Sequence, residues 1–207
     1  MFSGITTGLF RVVSTNYLND LLDYSVMLSS SLMQNLKIGD SIAVDGVCQS
    51  VVEVAGNQVS FQAISETLDK TTLRSLSPGK MVSIERSLRF GDEIGGHEVS
   101  GHVFGTGIVS QILETHSNVT LVIHCDVEWM KYIIPKGFIA IDGSSLTVGE
   151  TDTDRGLFAI HLIPETLRMT NFKNKNINDK VNIEFDYKTK IIVDTVLGYV
   201  GKLGRNY

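Results

Sequence analysis

The chain has 207 residues, 43% of them hydrophobic and 20% charged, with a formal net charge of −5; that is enough chain for one large core or two of about 100 residues each. The acidic balance and the lack of a basic run argue against a nucleic-acid surface, no apolar run approaches the roughly 20 residues of a membrane span, and the N-terminus lacks a secretory pattern. Two cysteines, Cys48 and Cys125, provide neither a disulfide framework nor a zinc cluster, and a reducing cytoplasm is the expected compartment.

Nineteen glycines, three prolines and short alternating runs rich in Val, Ile and Thr predict a mainly β chain with tight turns. In chain order, strands are expected at about 4–14 and 22–29, then a short helix at 31–36 and a long third strand at about 40–54. Gly56-Asn57 turns the chain into a strand at 58–64, a short helix starts near Glu66, and a last strand covers 80–87. The same order then starts again at Gly101, with strands at about 101–112, 118–125, 137–150, 157–163 and 180–187. Its short helices follow Asp126, a cap, and begin at Pro164, which suits a first helical turn. The tail from Lys190 to Leu203 carries one apolar stripe, Ile192, Val196, Tyr199 and Leu203, at helical spacing. Such a stripe either docks on its own domain or pairs with copies of itself.

The recurrence is also literal. Gly4, Gly8 and Val12 return 97 residues later as Gly101, Gly105 and Val109, and Ala43-Val44-Asp45-Gly46 returns as Ala140-Ile141-Asp142-Gly143. The offset then becomes 99: Glu66-Thr67-Leu68 maps to Glu165-Thr166-Leu167, and Val82-Ser83-Ile84-Glu85 to Val181-Asn182-Ile183-Glu184. An internal duplication follows. The expected architecture is two tandem six-stranded antiparallel Greek-key barrels, residues 1–97 and 98–188, with a tail at 189–207. The glycine-rich stretch from Ile94 to Gly107 is the seam.

Residues i and i+2 of a strand share a face, so Cys48 projects with Ser50, and Ser145 with Thr147. Small polar groups therefore recur at equivalent places in both halves. His102, suited to proton exchange near neutral pH, stands where the first half has Ile5. His97 and His102 lie five residues apart without a third ligand, so no metal site is expected. His161 precedes the second helix start and is placed to line a pocket. Glu66-Thr67 and Glu165-Thr166 sit at strand-to-helix junctions, where they either complete the first turn or leave backbone N–H groups for a ligand. Asp186 ends the last strand, where a turn aspartate is ordinary. No phosphate loop, Ser-His-Asp order or zinc spacing appears. These residues describe a duplicated barrel with a polar small-ligand pocket and go no further.

Met1-Phe2-Ser3-Gly4-Ile5, the run from Gly39 to Cys48, Gly95 to Val103, Ile141 to Val148 and Leu162 to Leu167 together resemble the riboflavin synthase family of α-chain type, from residue 1 to about 200. The resemblance implies two lumazine-binding barrels and a C-terminal helix that assembles a homotrimer. Its sites lie where the N-terminal barrel of one subunit faces the C-terminal barrel of its neighbour. It also implies the last step of riboflavin biosynthesis, without cofactor or metal. Two molecules of 6,7-dimethyl-8-ribityllumazine react, one giving a four-carbon unit to the other, to yield riboflavin and 5-amino-6-ribitylamino-pyrimidinedione. Lumazine synthase is an implied protein partner.

Carried over by position, Cys48, Gln49 and Ser50 line the N-barrel site with Gly4, Ile5, Thr6 and the segment Gln62, Ala63, Ile64, Ser65, Glu66 and Thr67. Ser145, Leu146 and Thr147 line the C-barrel site with Gly101, His102, Val103, Lys136 and the segment His161, Leu162, Ile163, Pro164, Glu165 and Thr166. The catalytic candidates are His102, Ser41, Cys48, Ser145 and Asp186, with Phe2 packed near the reacting carbons. His102 is expected to move protons, and Ser145 or Thr147 to orient the methyl-bearing edge. Gln49, Ser50 and Phe104 depart from the family's usual Leu, Thr and polar residue. The competing reading is a non-catalytic lumazine or flavin binder on the same fold. Cys48, His102, Ser145, Asp186 and the tail helix favour the enzyme.

Overall fold

The computed structural model describes residues 1–116 and 118–203. Strands β1 (Gly8–Leu18), β2 (Leu21–Met27), β3 (Ser41–Val44), β4 (Val47–Ala55), β5 (Gln58–Ile64) and β6 (Met81–Arg86) close a barrel in the order β1-β2-β5-β4-β3-β6. Strands β7 (Gly105–Glu114), β8 (Val119–His124), β9 (Phe138–Ile141), β10 (Ser144–Asp152), β11 (Leu157–Leu162) and β12 (Lys180–Phe185) close a second barrel with the same connectivity. Every strand pair is antiparallel, and bulges recur at equivalent places, after Val12 and Val109 and after Val51 and Val148. The duplicated, mainly β architecture is as the sequence predicts.

Two details differ. The long third strand of each half is a hairpin, β3–β4 and β9–β10, because both residues of its Asp-Gly turn take positive φ: 44° and 80° at Asp45-Gly46, 43° and 81° at Asp142-Gly143. That geometry matches the twist of the flanking strands. The first strand of each half starts four residues later than expected, since the preceding residues bridge to the other barrel, Gly4 accepting from Ser145 and Gly101 from Cys48.

Each barrel has its own apolar core. Val12, Leu22, Val59, Phe61, Val82 and Ile84 lie in the first, and Val109, Ile123, Phe158, Ile160, Val181 and Ile183 in the second. Short helices α1 (Ser30–Met33), α2 (Ser65–Lys70) and α3 (Pro164–Met169) close loops, while the segment 127–132 is 3-10 rather than α.

The barrels meet through their Asp-Gly turns. Gly46 and Gly143 pack backbone to backbone: a Cβ on Gly46 would lie 2.7 Å from Gly143 Cα. Asn182 donates to the Asp45 carbonyl at 2.7 Å and to Thr72 Oγ1 at 2.9 Å, and accepts from the Thr72 N–H at 2.8 Å. Asp45 accepts from the Ser83 N–H and Asp142 from the Asn182 N–H, each at 2.7 Å. Lys175 pairs with Asp142 at 2.7 Å. Two buried carboxylates thus face one lysine. Burial, and then the charge of Asp142, push the Asp45 carboxyl up to about 7.

The tail forms α4 (Tyr187–Leu203). It docks through Val193 on the second core, Tyr132 Oη donating to Asp194 at 2.5 Å, and Lys190 over the Phe104 and Tyr132 rings. The predicted stripe faces away from the barrel, with Ile192, Val196 and Tyr199 exposed by 63%, 54% and 66%; the Leu203 side chain lies outside the described residues.

Candidate functional site

The two leading segments cross. Phe2 and Val99 form an antiparallel bridge, with N–H···O distances of 2.7 and 3.0 Å, and with Ala43, Ala140 and Cys48 they make a small apolar cluster between the barrels. Beyond the bridge, Ser145 N–H donates to the Gly4 carbonyl at 2.8 Å and Cys48 N–H to the Gly101 carbonyl at 2.9 Å. Both glycines hold positive φ, 74° and 80°, and an added Cβ would lie 2.6 Å from the Cβ of Ser145 or Cys48. Each segment is anchored by a buried glutamate: Glu85 accepts from Ser3 and Gly4, and Glu184 from Ser100 and Gly101. Burial raises the Glu85 carboxyl despite these bonds.

This crossing reverses one expected grouping. The sequence places Gly4, Ile5 and Thr6 on the Cys48 face, yet Gly4 meets Ser145, and Thr6 Oγ1 lies 3.2 Å from Ser144 Oγ. Gly101, His102 and Val103 belong with Cys48 instead, and Val103 packs against the first barrel's core. Sequence offsets identify equivalent positions, but they do not reveal that the two halves exchange their first segments.

Two outward faces result. On the first barrel Ser41 lies directly opposite Ser50, and Ala43 opposite Cys48; on the second, Phe138 lies opposite Thr147 and Ala140 opposite Ser145. Cys48 with Ser50, and Ser145 with Thr147, share faces as their spacing requires. Gln62 and Ile64 on β5, and His161 on β11, are exposed beside them. The intervening residues point inward: Ala63 and Leu162 are core, Leu146 packs against the second core, and Gln49 is buried, accepting from Tyr24 Oη at 3.2 Å. The Gln49 side chain therefore belongs to the barrel interior.

A cavity of about 690 Å³ joins Cys48, His102 and Asp186 with Phe104, Tyr187 and Lys190. Its counterpart in the first half, about 670 Å³, has Ile5 in place of His102, Ser87 for Asp186 and Thr7 for Phe104. Ser41 and Ser145 line neither cavity. Asp186 accepts from the Thr189 N–H and hydroxyl, starting α4; partial burial would raise it, but these bonds and the nearby His97 hold it below the ordinary carboxylate range. Phe104 belongs to an aromatic group with Trp129, Tyr132 and Phe185, which accounts for its departure from a polar residue.

His161 bonds Thr120 at 2.9 Å and Glu150 at 3.1 Å. Lys136 holds φ 67°, where the first half has Gly39, a conformation unfavourable for a side chain that clusters at functional positions. The starts of α2 and α3, at Ile64-Ser65 and Ile163-Pro164, have no side-chain cap, and Glu66 and Glu165 pair with Lys70 and Arg168. Neither start therefore has a side-chain cap, while Glu66 and Glu165 remain in the first turn, where their charge suits the helix dipole. Sequence reasoning weighs His97 only as a metal ligand and leaves it out of the site. It is buried, stacks on Phe138 at 5.1 Å and lies 2.6 Å from Ser145 Oγ; its place after Gly95-Gly96 was the available signal.

The lumazine binding domain model matches residues 3–87 and 100–186. A protein named riboflavin synthase from Buchnera aphidicola subsp. Schizaphis graminum is 45% identical over 98% of this chain and 97% of its own length. The Escherichia coli (strain K12) protein of that name is 44% identical over 95% and 92%. The chain belongs to the riboflavin synthase family. Riboflavin synthase from Chlamydia muridarum is 37% identical over 99% of this chain and 100% of its own length. Among solved structures, LumP complexed with riboflavin superposes with a TM-score of 0.83 at 23% identity, covering 90% of this chain and 100% of that one; this likeness speaks to the fold alone.

Proposed function

We propose that the chain catalyses the dismutation of two 6,7-dimethyl-8-ribityllumazine molecules to riboflavin and 5-amino-6-ribitylamino-pyrimidinedione, the last step of riboflavin biosynthesis. The observation that carries this reading is the pair of outward faces, alike in backbone and different in side chains. One presents Ser41, Cys48 and Ser50 with His102; the other presents Phe138, Ser145 and Thr147 with Ile5. Two copies of one ligand suit two faces of common origin, and different side chains let the copies play different parts.

One lumazine loses a proton from its acidic C7 methyl, and the other is attacked at C7. Transfer of the four-carbon unit then conserves all atoms between two substrates and two products, so the stoichiometry calls for no external oxidant. His102, in one cavity with Cys48 and Asp186, is the proton carrier in this reading, and Ser145 or Thr147 orients the methyl-bearing edge. Lys136 and the segments from Gln62 and His161 hold the ring and ribityl polar groups. Holding both molecules in register supplies much of the rate.

Residues 1–97 and 98–188 are the two ligand-binding units, and 189–207 the assembly tail. The exposed stripe of α4 supports a homotrimer in which the N-barrel of one protomer faces the C-barrel of the next. Lumazine synthase is the proposed protein partner and the cytoplasm the proposed compartment. Purified protein given the substituted lumazine alone should produce riboflavin fluorescence, with one pyrimidinedione per riboflavin. Tight binding without riboflavin would instead mark a non-catalytic carrier.

A further inference from the structure

The segment from Gly95 to His97 runs tightly over Ser145. A Cβ on Gly96 would lie 2.5 Å from Ser145 Cβ and also strike the Ser3 carbonyl, and one on Gly95 would lie 3.3 Å from Ile5 Cγ1. No side chain fits at Gly96 without a shift, and the segment delivers the His97 ring to Ser145 with Nδ1 2.6 Å from Oγ. The ring is 7% exposed and stacks on Phe138, whose place in the first half is taken by Ser41. His97 Nε2 is buried and has no hydrogen-bond partner among the described residues.

Two arrangements of the hydrogen atoms are available. If Nδ1 accepts, Ser145 spends its proton on the ring and Nε2–H is a buried orphan donor. If Nδ1–H donates, Ser145 keeps its proton and Nε2 is left as a buried bare acceptor. Buried backbone N–H groups are orphaned more rarely than carbonyls are under-satisfied, and extended to the imidazole the same argument favours the second arrangement. Burial, only partly opposed by the charge of Asp186, also lowers the affinity of His97 for a second proton and keeps the ring neutral.

We propose that His97 is a positioning residue, donating its Nδ1–H to Ser145 Oγ so that Ser145 acts as a one-way hydrogen-bond donor toward an acceptor atom of the ring system bound on the C-barrel face. The matching acceptor is a carbonyl oxygen or an unprotonated ring nitrogen. This rests on the reading of Ser145 as a ligand-facing residue. It identifies Gly95-Gly96-His97 as part of the site rather than a spacer between barrels.

The test joins spectroscopy with a variant series. Imidazole ¹H–¹⁵N spectra of the wild type should show His97 protonated at Nδ1 and bare at Nε2; protonation at Nε2 alone overturns the proposal without reference to activity. His97→Phe keeps the stack on Phe138 and removes the donor. It should lower kcat on the order of 100-fold, the usual scale for misplacing a positioned group, while KM changes little. His97→Asn, whose amide can donate from nearly the Nδ1 position, should recover most of that loss. Adding Ser145→Ala to His97→Phe should cost little more, since the two residues act as one unit. Additive losses, or an Asn variant no better than Phe, overturn it. A wild type that forms no riboflavin sinks the functional reading instead, and the spectrum still decides the tautomer.

Discussion

Asp45 offers a direct test of how the two barrels are held together. The Asp45 and Asp142 carboxylates are buried where the Asp-Gly turns meet; Lys175 pairs with Asp142, and its charge, with that of Lys80, also acts on Asp45. Asp45 is held up to about 7 from an ordinary 3.8. Because its folded value lies above its unfolded one, the unfolded chain releases this proton first as pH rises. Stability from this group therefore falls between about pH 4 and 7 and levels off above 7. A displacement of that size corresponds to at most on the order of 4 kcal/mol, an upper bound because the group is coupled to Asp142 and Lys175. Burial alone would lower Lys175, but the two aspartates outweigh it and hold it above 10.5, so its own loss lies outside this window. Asp45→Asn keeps an oxygen for the Ser83 N–H and leaves one carboxylate against one lysine. Urea unfolding at fixed protein concentration from pH 4 to 8.5 should give similar stabilities near pH 4 and a clearly more stable variant at pH 8. Parallel pH curves for the two proteins would refute the argument that two carboxylates share one buried lysine.

Gly4→Ala and Gly101→Ala each force a side chain into a positive-φ position and against Ser145 or Cys48. Each should cost more than the roughly 1–2 kcal/mol of left-handed backbone strain alone and depress riboflavin formation, whereas Gly39→Ala, with nothing within 4 Å, should show the backbone cost only; melting curves and turnover check both. Deleting residues from about 190 onward should yield monomers in sedimentation, and a variant that stays assembled would detach α4 from that role. Native protein should react with a thiol reagent at Cys48 alone, since burial drives the Cys125 thiol up to about 12; two equally fast thiols would contradict the packing around Cys125.

Most of the fold was legible because the duplication doubles every signal. The period-2 face of Cys48 with Ser50 is weak by itself and firm once Ser145 and Thr147 repeat it. The crossed leading segments were not legible, because hydrogen bonds from Cys48 and Ser145 to glycine carbonyls leave no mark in residue type. Gln49 and Ala63 entered the candidate list as neighbours in sequence, and strand alternation turns both inward. His97 was missed because its partner, Ser145, is 48 residues away. Phe104 is out of place only in sequence; in the fold Trp129, Tyr132 and Phe185 surround it.

The distribution of differences between the halves carries the last argument. Several core positions are preserved: Val12 and Val109, Val82 and Val181, Ile84 and Ile183 are equivalent pairs, all fully buried. Some of the differences fall on the outward faces and the barrel contact: Ile5 against His102, Ser87 against Asp186, Ser41 against Phe138, and Leu76 against Lys175. The first three change the chemistry offered to a ligand, and the fourth leaves the two equivalent aspartates with a single lysine between them. A carrier of one ligand per barrel gains nothing from unlike faces. A reaction between two molecules of the same compound, one giving up carbon and the other receiving it, requires them. On this argument, exchanging Ile5 and His102 between the halves should destroy turnover even though the composition of the protein is unchanged. Retained activity in that exchange variant would show that the asymmetry at these two positions is incidental.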